Sequence, residues 1–531
     1  SRWLDGVQQT TDNDTPYTRG EDSGQNQWTW QHYNATVGYD GTFGRHVVSA
    51  SAGILYNIYK TDFSQNGAAG KMVEYRHMTV NGAVNYAYDD RYVATFSFAA
   101  DGSDNYRPGN RWGFYPSLGL GWIVSRERFL RDSRMVDLLK LRASVGKNGW
   151  DPMGEMRYLW EGYYTGRGGL NTGNSEHTWH GGTALSYLPN PDVFAEKSLK
   201  YDAGIDLRLW NRLSLNVDLF LEKRSGIVTQ DWMIPGASGV DNPPYRNIGR
   251  MTNKGFEVQL SWADRIGDFN YALTGMASYN SNKVDYMAEV VTVPTAARTG
   301  RRLDALFGYV ADGFYDWDDF DVGGELREGL PKPTFGAVQP GDIKYKNLNG
   351  DTVIDENDQT AIGDSYLPKL QYSFSLAASY KGFDLFALFQ GAAGRDVNLL
   401  DAPLQNVAFR DNGNVYGIAE GRWAYYPEQG IDTRATATYP RLSLQDNSNN
   451  YRNSTLWKRS GDFLKLRNVE LGYTFAQPSL SKAGISKIRI YLSGVNLLTV
   501  SRLMRDYDID PEILSGHPAL KSYNLGLTVT F

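Results

Sequence analysis

The chain has 531 residues, with 54 Lys and Arg against 60 Asp and Glu, and no Cys. The near balance of charge leaves no basic field for nucleic acid, and the missing cysteine removes disulfide scaffolds, thiolate metal sites and cysteine nucleophiles together. Aromatics reach 13% while no run of 18 apolar residues exists, so a transmembrane helix is excluded and any membrane crossing falls to strands.

The first 27 residues, "SRWLDGVQQTTDNDTPYTRGEDSGQ" and the two that follow, are polar, with no charged-then-apolar leader. From there period-two segments recur. Apolar and polar residues alternate in "RLSLNVDLFLEK", where Leu213, Leu215, Val217, Leu219 and Leu221 share one face. The same holds in "GFEVQLSW" and "LQYSFSLAASY", and in the closing "SYNLGLTVTF". The alternation predicts fifteen strands, at 28–40, 43–60, 71–88, 91–101, 111–125, 136–146, 200–210, 212–223, 248–262, 268–281, 369–381, 383–394, 462–475, 488–499 and 520–531. Helical periodicity is nearly absent.

Connections sort by length. Tight turns such as "YDDR" (88–91), "WNR" (210–212) and "YKGF" (380–383) alternate with long polar loops at 147–199, 224–247, 282–368 and 395–461. That asymmetry suits a transmembrane antiparallel up-and-down β-barrel, an all-β fold with short periplasmic turns and long extracellular loops. A soluble multi-domain β protein, which also alternates along its strands, gives no reason for the sorting. If Phe531 lies at the periplasmic end, counting back through fifteen strands leaves 1–27 in an extracellular loop segment. A complete bacterial barrel has an even strand number, so 28–531 is expected to be the C-terminal portion of a longer or split barrel, unless the count is off by one or two.

Five stretches go beyond pattern: "NRWGFYPSLGLGW" (110–122), "LLKLRASVGKNG" (138–149), "NIGRMTNKGFEVQL" (247–260), "PGDIKYKNLNGDTVIDENDQTAIGDSYLPKLQYSF" (340–374), and "FLKLRNVELGYTF" followed by "KIRIYLSGVNLLTV" (463–500). In order and spacing they resemble the SusC/RagA family of TonB-dependent outer-membrane transporters, from about residue 30 to the end. The resemblance implies a bacterial outer-membrane barrel of about 22 strands that imports a large nutrient, an oligosaccharide or a peptide, with energy passed through TonB. It also implies a SusD-like surface lipoprotein over the barrel, a dimer of such pairs, contact with outer-membrane lipid, no required cofactor and no enzymatic chemistry. No plug and no TonB box is found in this chain, so TonB would be reached through a region outside it. A passive porin, or a structural or secretion-channel barrel, is the second reading. A soluble carbohydrate-binding β protein is the third.

The candidate sites follow. Trp150, Trp160, Tyr163 and Tyr164, in "GKNGWDPMGEMRYLWEGYYTGRGG", can stack on sugar rings or pack within the girdle and loop. In "NLNGDTVIDEND", Asn347, Asn349, Asp351, Asp355 and Asp358 place oxygens at calcium-loop spacing, but Thr352 stands where glycine is required and Asp358 replaces a bidentate Glu. The alternative is an Asx-rich turn that satisfies its own backbone. "GDS" at 363–365 lacks a matching His block, and His177 and His180 of "EHTWH" lack helical spacing, so neither is assigned chemistry. Arg111, Trp112 and Arg142 are expected to serve the fold. Tyr523, Leu525, Leu527, Val529 and Phe531 are expected to form the barrel-assembly signal, since a terminal aromatic has that role in barrels of this resemblance.

Overall fold

The computed structural model describes residues 2–4, 7–9, 28–61, 73–151, 157–162, 164–172, 178–238, 240, 242–291, 293–401, 406–409, 414–444, 447–475 and 484–531. Its frame is one antiparallel sheet of fifteen strands, each paired with the next in sequence. They are β1 Trp28–Phe43, β2 His46–Thr61, β3 Val73–Tyr88, β4 Tyr92–Ser103, β5 Trp112–Ile123, β6 Val136–Trp150, β7 Glu196–Leu209, β8 Leu213–Gln230, β9 Tyr245–Ile266, β10 Phe269–Tyr286, β11 Leu370–Tyr380, β12 Phe383–Ala393, β13 Phe463–Phe475, β14 Lys487–Ser501 and β15 Ser522–Thr530. Each of the fifteen expected segments has its strand.

Tight turns gather at one end because their residues accept the backbone that a hairpin needs. Gly44 (φ +63) and Gly267 (φ +60) open two-residue turns, and Lys381 and Gly382 (φ +45 and +90) form another between Tyr380 and Phe383. Two-residue hairpins favour such left-handed residues because the primed turns match the twist of the flanking strands.

Several strands outrun their expected boundaries at the opposite end. β6 continues to Trp150, β8 to Gln230 and β10 to Tyr286, while β9 begins at Tyr245 and spans 22 residues. At the usual rise β9 is roughly 70 Å long if straight, whereas a tilted strand crosses the hydrocarbon in roughly 10 residues. The sheet therefore stands well clear of the membrane, and the long loops begin farther out than the alternation suggests.

Those loops are folded. The largest buried apolar cluster contains Tyr309, Ile343, Tyr345, Ile354, Val397, Leu399, Tyr439, Trp457 and Leu503, all from the long connections or from the short helix α1 (Arg502–Tyr507). Tyr439 and Trp457 meet edge to face with centroids 5.5 Å apart. Small ladders stiffen the mass, including Leu306–Gly308 with Thr360–Gly363 and Asp396–Asn398 with Lys458–Ser460. The fully buried Asp342 carboxylate lies 2.7 Å from Arg441 and accepts from Asn447 (3.0 Å), Asn450 (2.9 Å) and the Gln339 N–H (2.8 Å). A carboxylate so deep is tolerable because charge and donors surround it.

Candidate functional site: the inner wall and its loop cap

Register sorts the side chains by face. One face carries Val84, Phe96, Leu118, Leu219, Leu260, Leu273, Phe374, Leu471, Leu492 and Leu525, all exposed. At the short-turn end that face ends in a belt including Phe43, Tyr92, Trp122, Phe269, Phe383 and Phe475. Apolar side chains exposed over a whole sheet face are explained by lipid, and the aromatic belt marks the interface.

The other face is polar. One row runs through paired positions Asn216, Gln259, Met276, Ser373 and Gln390, and the next through Asp218, Glu257, Ser278 and Gln371. These side chains line a shallow hollow on the inner wall, about 360 Å³ in volume. Adjacent strands lie about 4.8 Å apart, so the rows offer amides, hydroxyls and two carboxylates at near-regular intervals.

Charges on this wall are paired. Arg142 of β6 donates to Asp218 of β8 (2.6 Å) and Asp206 of β7 (3.3 Å), with Asp202 at 3.5 Å. Gly204 sits beneath that guanidinium, where a Cβ would come 2.5 Å from Cζ, so a side chain here would have to push the guanidinium from its place. On the far side, Arg489 of β14 donates to Glu470 of β13 (2.6 Å) and to Asp384 of β12. Each arginine ties together three neighbouring strands.

The wall meets the loop cap at Lys465. Its side chain, 1% exposed on β13, pairs with Asp510 (2.8 Å) and Glu512 (2.7 Å), and Arg467 pairs with Glu512 and donates to Gln390 (2.9 Å). Tyr366 donates to the Glu512 carbonyl (3.3 Å). The segment after α1 is thus strapped to the wall beside the row that contains Gln390. Burial alone would raise the Asp510 and Glu512 carboxyls. The adjacent Lys465 ammonium, with backbone donors at Asp510 and Arg467 at Glu512, holds both below the usual carboxylate range.

The sequence candidates occupy different settings. Trp150 ends β6 and is exposed, Trp160 donates its indole N–H to the Asn105 carbonyl (3.1 Å), and Tyr164 is 74% exposed at the start of a hairpin, Tyr164–Thr172 with Thr178–Leu185. Tyr163 and His177 lie outside the described residues. His180 contacts the Thr172 hydroxyl at 2.8 Å, and Ser365 donates to Asp304 within the cap.

In the loop 347–358 every candidate ligand serves the chain itself. Asn347 accepts from Gly350 N–H (2.6 Å), Asn349 from Asp351 N–H (3.0 Å), Asp351 from Val353 N–H (2.8 Å) and Asp355 from Asn357 N–H (2.8 Å). Asp358, fully buried, accepts from Leu348 (2.7 Å) and Asp355 (2.9 Å). These bonds are those of an Asx-rich turn that satisfies its own backbone, and among the described residues no three His, Cys, Asp or Glu side chains are grouped to hold a metal ion.

Tyr523, Leu525, Leu527 and Phe531 are exposed on the lipid face, with Leu525 opposite Leu492, Leu527 opposite Ile490 and Val529 opposite Ile488. Asp218, Glu257 and Gln259, absent from the sequence candidates, were reachable in principle, because each falls on the polar phase of an alternating segment, whereas Gln390 shares its phase with Phe386 and Leu388. Nothing local distinguishes them from other inward polar residues. Only the cross-strand register brings them into rows.

Residues 1–497 match the family model described as TonB dependent receptor-like, beta-barrel. The chain is 26% identical to TonB-dependent receptor P3 of Formosa agariphila, over 93% of this chain and 51% of that protein, and 29% identical to receptor P26 of the same organism over 90% and 48%. It is 26% identical to TonB-dependent receptor SusC of Bacteroides thetaiotaomicron, over 85% of this chain and 43% of that protein. Among solved structures, the RagAB peptide transporter superposes with a TM-score of 0.70 at 21% identity, over 95% of this chain and 56% of that one. The chain spans about half the length of the curated relatives it matches. A lipid-facing apolar wall, a polar inner wall, sorted connections and these matches agree: the chain belongs to the TonB-dependent receptor β-barrel family, and its place is the bacterial outer membrane.

Proposed function

We propose that the polypeptide containing this barrel imports a large polar nutrient, an oligosaccharide or a peptide, across the outer membrane with energy delivered through TonB. The observation that carries this reading is the inner wall. Its rows of amides, hydroxyls and two carboxylates suit a hydrated, hydrogen-bonding cargo, and the folded cap above them is far more elaborate than an open diffusion pore requires. The likeness to SusC and to the RagAB transporter supports the same reading, together with a SusD-like surface lipoprotein as partner and a dimer of such pairs. In this proposal 1–27 belong to an extracellular loop, 28–531 supply the C-terminal part of the barrel wall, and plug and TonB box are contributed from outside this chain. Trp150, Trp160, Tyr163 and Tyr164 contact cargo at the mouth, and Tyr523, Leu525, Leu527, Val529 and Phe531 guide assembly. No cofactor is required.

The test is uptake of labelled oligosaccharide and peptide pools by cells expressing the full-length polypeptide, with and without a functional TonB. TonB-dependent accumulation of one pool is the expected result. Accumulation that persists undiminished without TonB would favour a passive pore instead.

A further inference from the structure

The connection between β5 and β6, residues 124–135, differs from the other described turns at its end of the sheet. It is twelve residues long, against two or three at 44–45, 89–91, 210–212, 267–268 and 381–382, and reads "VSRERFLRDSRM". Its backbone is ordered by bonds to its own carbonyls, with Glu127 N–H to Val124 O (3.0 Å), Arg131 N–H to Glu127 O (2.8 Å) and Ser133 N–H to Leu130 O (2.9 Å). Glu127 fastens it to the aromatic belt, accepting from the Tyr92 hydroxyl (2.6 Å), the Trp122 indole (3.2 Å) and Arg91 (3.1 Å). Those donors hold the Glu127 carboxyl below its ordinary range.

What the turn presents outward is basic and apolar. Arg126 pairs with Asp90 (2.7 Å) and Arg131 with Asp132 (3.5 Å), but Arg128 and Arg134 make no ion pair among the described residues. Phe129 is 72% exposed and Met135 49%. Directly above, on the lipid face, the row Tyr86, Ala94, Leu120 and Ala143 alternates large and small side chains. With Tyr92 and Trp122 it borders a groove of about 410 Å³. Free cations, an exposed Phe at the interface and an apolar groove running into the hydrocarbon are complementary to one kind of molecule.

We propose that residues 124–135 bind an anionic glycerophospholipid of the periplasmic leaflet, with its phosphate at Arg128 and Arg134, and an acyl chain in the groove floored by Ala94 and Ala143. The tight turns at Gly44, Gly267 and Lys381–Gly382 have no length for such a site. Charge selects the headgroup, and the groove selects a lipid over a free anion.

The experiment uses the full-length polypeptide extracted from outer membranes in mild detergent, delipidated and titrated with phosphatidylglycerol or phosphatidylcholine, with bound lipid counted by native mass spectrometry. Wild-type protein is expected to retain phosphatidylglycerol in preference to phosphatidylcholine. Arg128→Gln with Arg134→Gln should lower that occupancy on the order of tenfold, each juxtamembrane arginine being worth several-fold in affinity. Ala94→Phe, which fills the groove without touching the turn, should lower occupancy of both lipids. Heat-modifiable migration verifies that each variant remains a barrel. Equal retention of the two lipids, unchanged occupancy in the arginine variant, or displacement of phosphatidylglycerol by millimolar inorganic phosphate would each overturn the proposal.

Discussion

Replacing Lys465 with Met tests the coupling between wall and cap. The ammonium is 1% exposed and shared between Asp510, itself 3% exposed, and Glu512. Methionine keeps the length and removes the charge. Glu512 retains Arg467, whereas Asp510 is left buried with only the N–H groups of Glu512 (2.9 Å) and Ala519 (3.4 Å). Breaking a buried ion pair by removing one partner typically costs 3 to 5 kcal/mol, and the remaining donors argue for the lower end, about 3 kcal/mol. The strands on either side keep their ladders, so the cost falls on the strap after α1 and leaves the barrel standing. A loss of about 3 kcal/mol at roughly 1.4 kcal/mol per decade raises the strap's opening equilibrium on the order of 100-fold. Hydrogen exchange in detergent reads this directly: amides in 508–519 should exchange on the order of 100-fold faster in Lys465→Met, with β12 and β14 unchanged. Acceleration below threefold would refute the reasoning. The pH dependence has a fixed sign. Asp510 and Glu512 titrate below their unfolded values, so the strap's stability is fully present at neutral pH and is lost only as pH falls below the ordinary carboxylate range, through their depressed folded values.

Asp342→Ala removes the carboxylate that gathers Arg441, Asn447, Asn450 and the Gln339 N–H, and should cost the cap about 3 to 5 kcal/mol. Limited proteolysis should then cut within the long loops while the barrel stays heat-modifiable; a protease-resistant cap would contradict this. Removing calcium with EDTA should leave the thermal midpoint within about 1 °C, since the acidic residues of 347–358 are already engaged by backbone donors. A stabilisation of several degrees on adding calcium would count against that account. Phe531→Asp places a charge on the lipid face at the interface and should lower the amount of barrel in the outer membrane, measured by quantitative blotting of membrane fractions. Undiminished abundance of folded barrel would sink it.

The strands were readable because lipid on one side and water on the other impose a strict two-residue period. Leu213 to Leu221, or Phe256 to Trp262, obey it residue by residue. Beyond the membrane that constraint lapses, which is why "RSGIVTQ" at the end of β8 and "YRN" at the start of β9 gave no sign of extending the sheet. The core of the cap was illegible for another reason. Tyr309, Ile343, Trp457 and Leu503 come together across almost 200 residues that also include β11 to β14, and contacts of that range leave no local period. Likewise, the aromatics of 150–164 were conspicuous in the sequence, whereas Asp218, Glu257 and Gln390 became a group only when register aligned five strands. In 347–358 the spacing of oxygens left a calcium loop and an Asx-rich turn equally open, and the structure adds that one oxygen of each such side chain accepts a backbone N–H.

The cap's apolar centre has a consequence for how this sequence can drift. In most proteins connections tolerate exchange and insertion while the framework resists it. Here the framework's outer surface asks only for greasy side chains of almost any shape, whereas Ile343, Ile354, Tyr439 and Trp457 interlock like the interior of a water-soluble domain, where a single lost methylene is felt. A saturation survey scored for folded protein should therefore come out inverted, permissive along the strands' lipid side and stringent in the long connections. New cargo preferences would then have to arise on the inner wall or the cap's exposed rim, leaving its packed centre untouched.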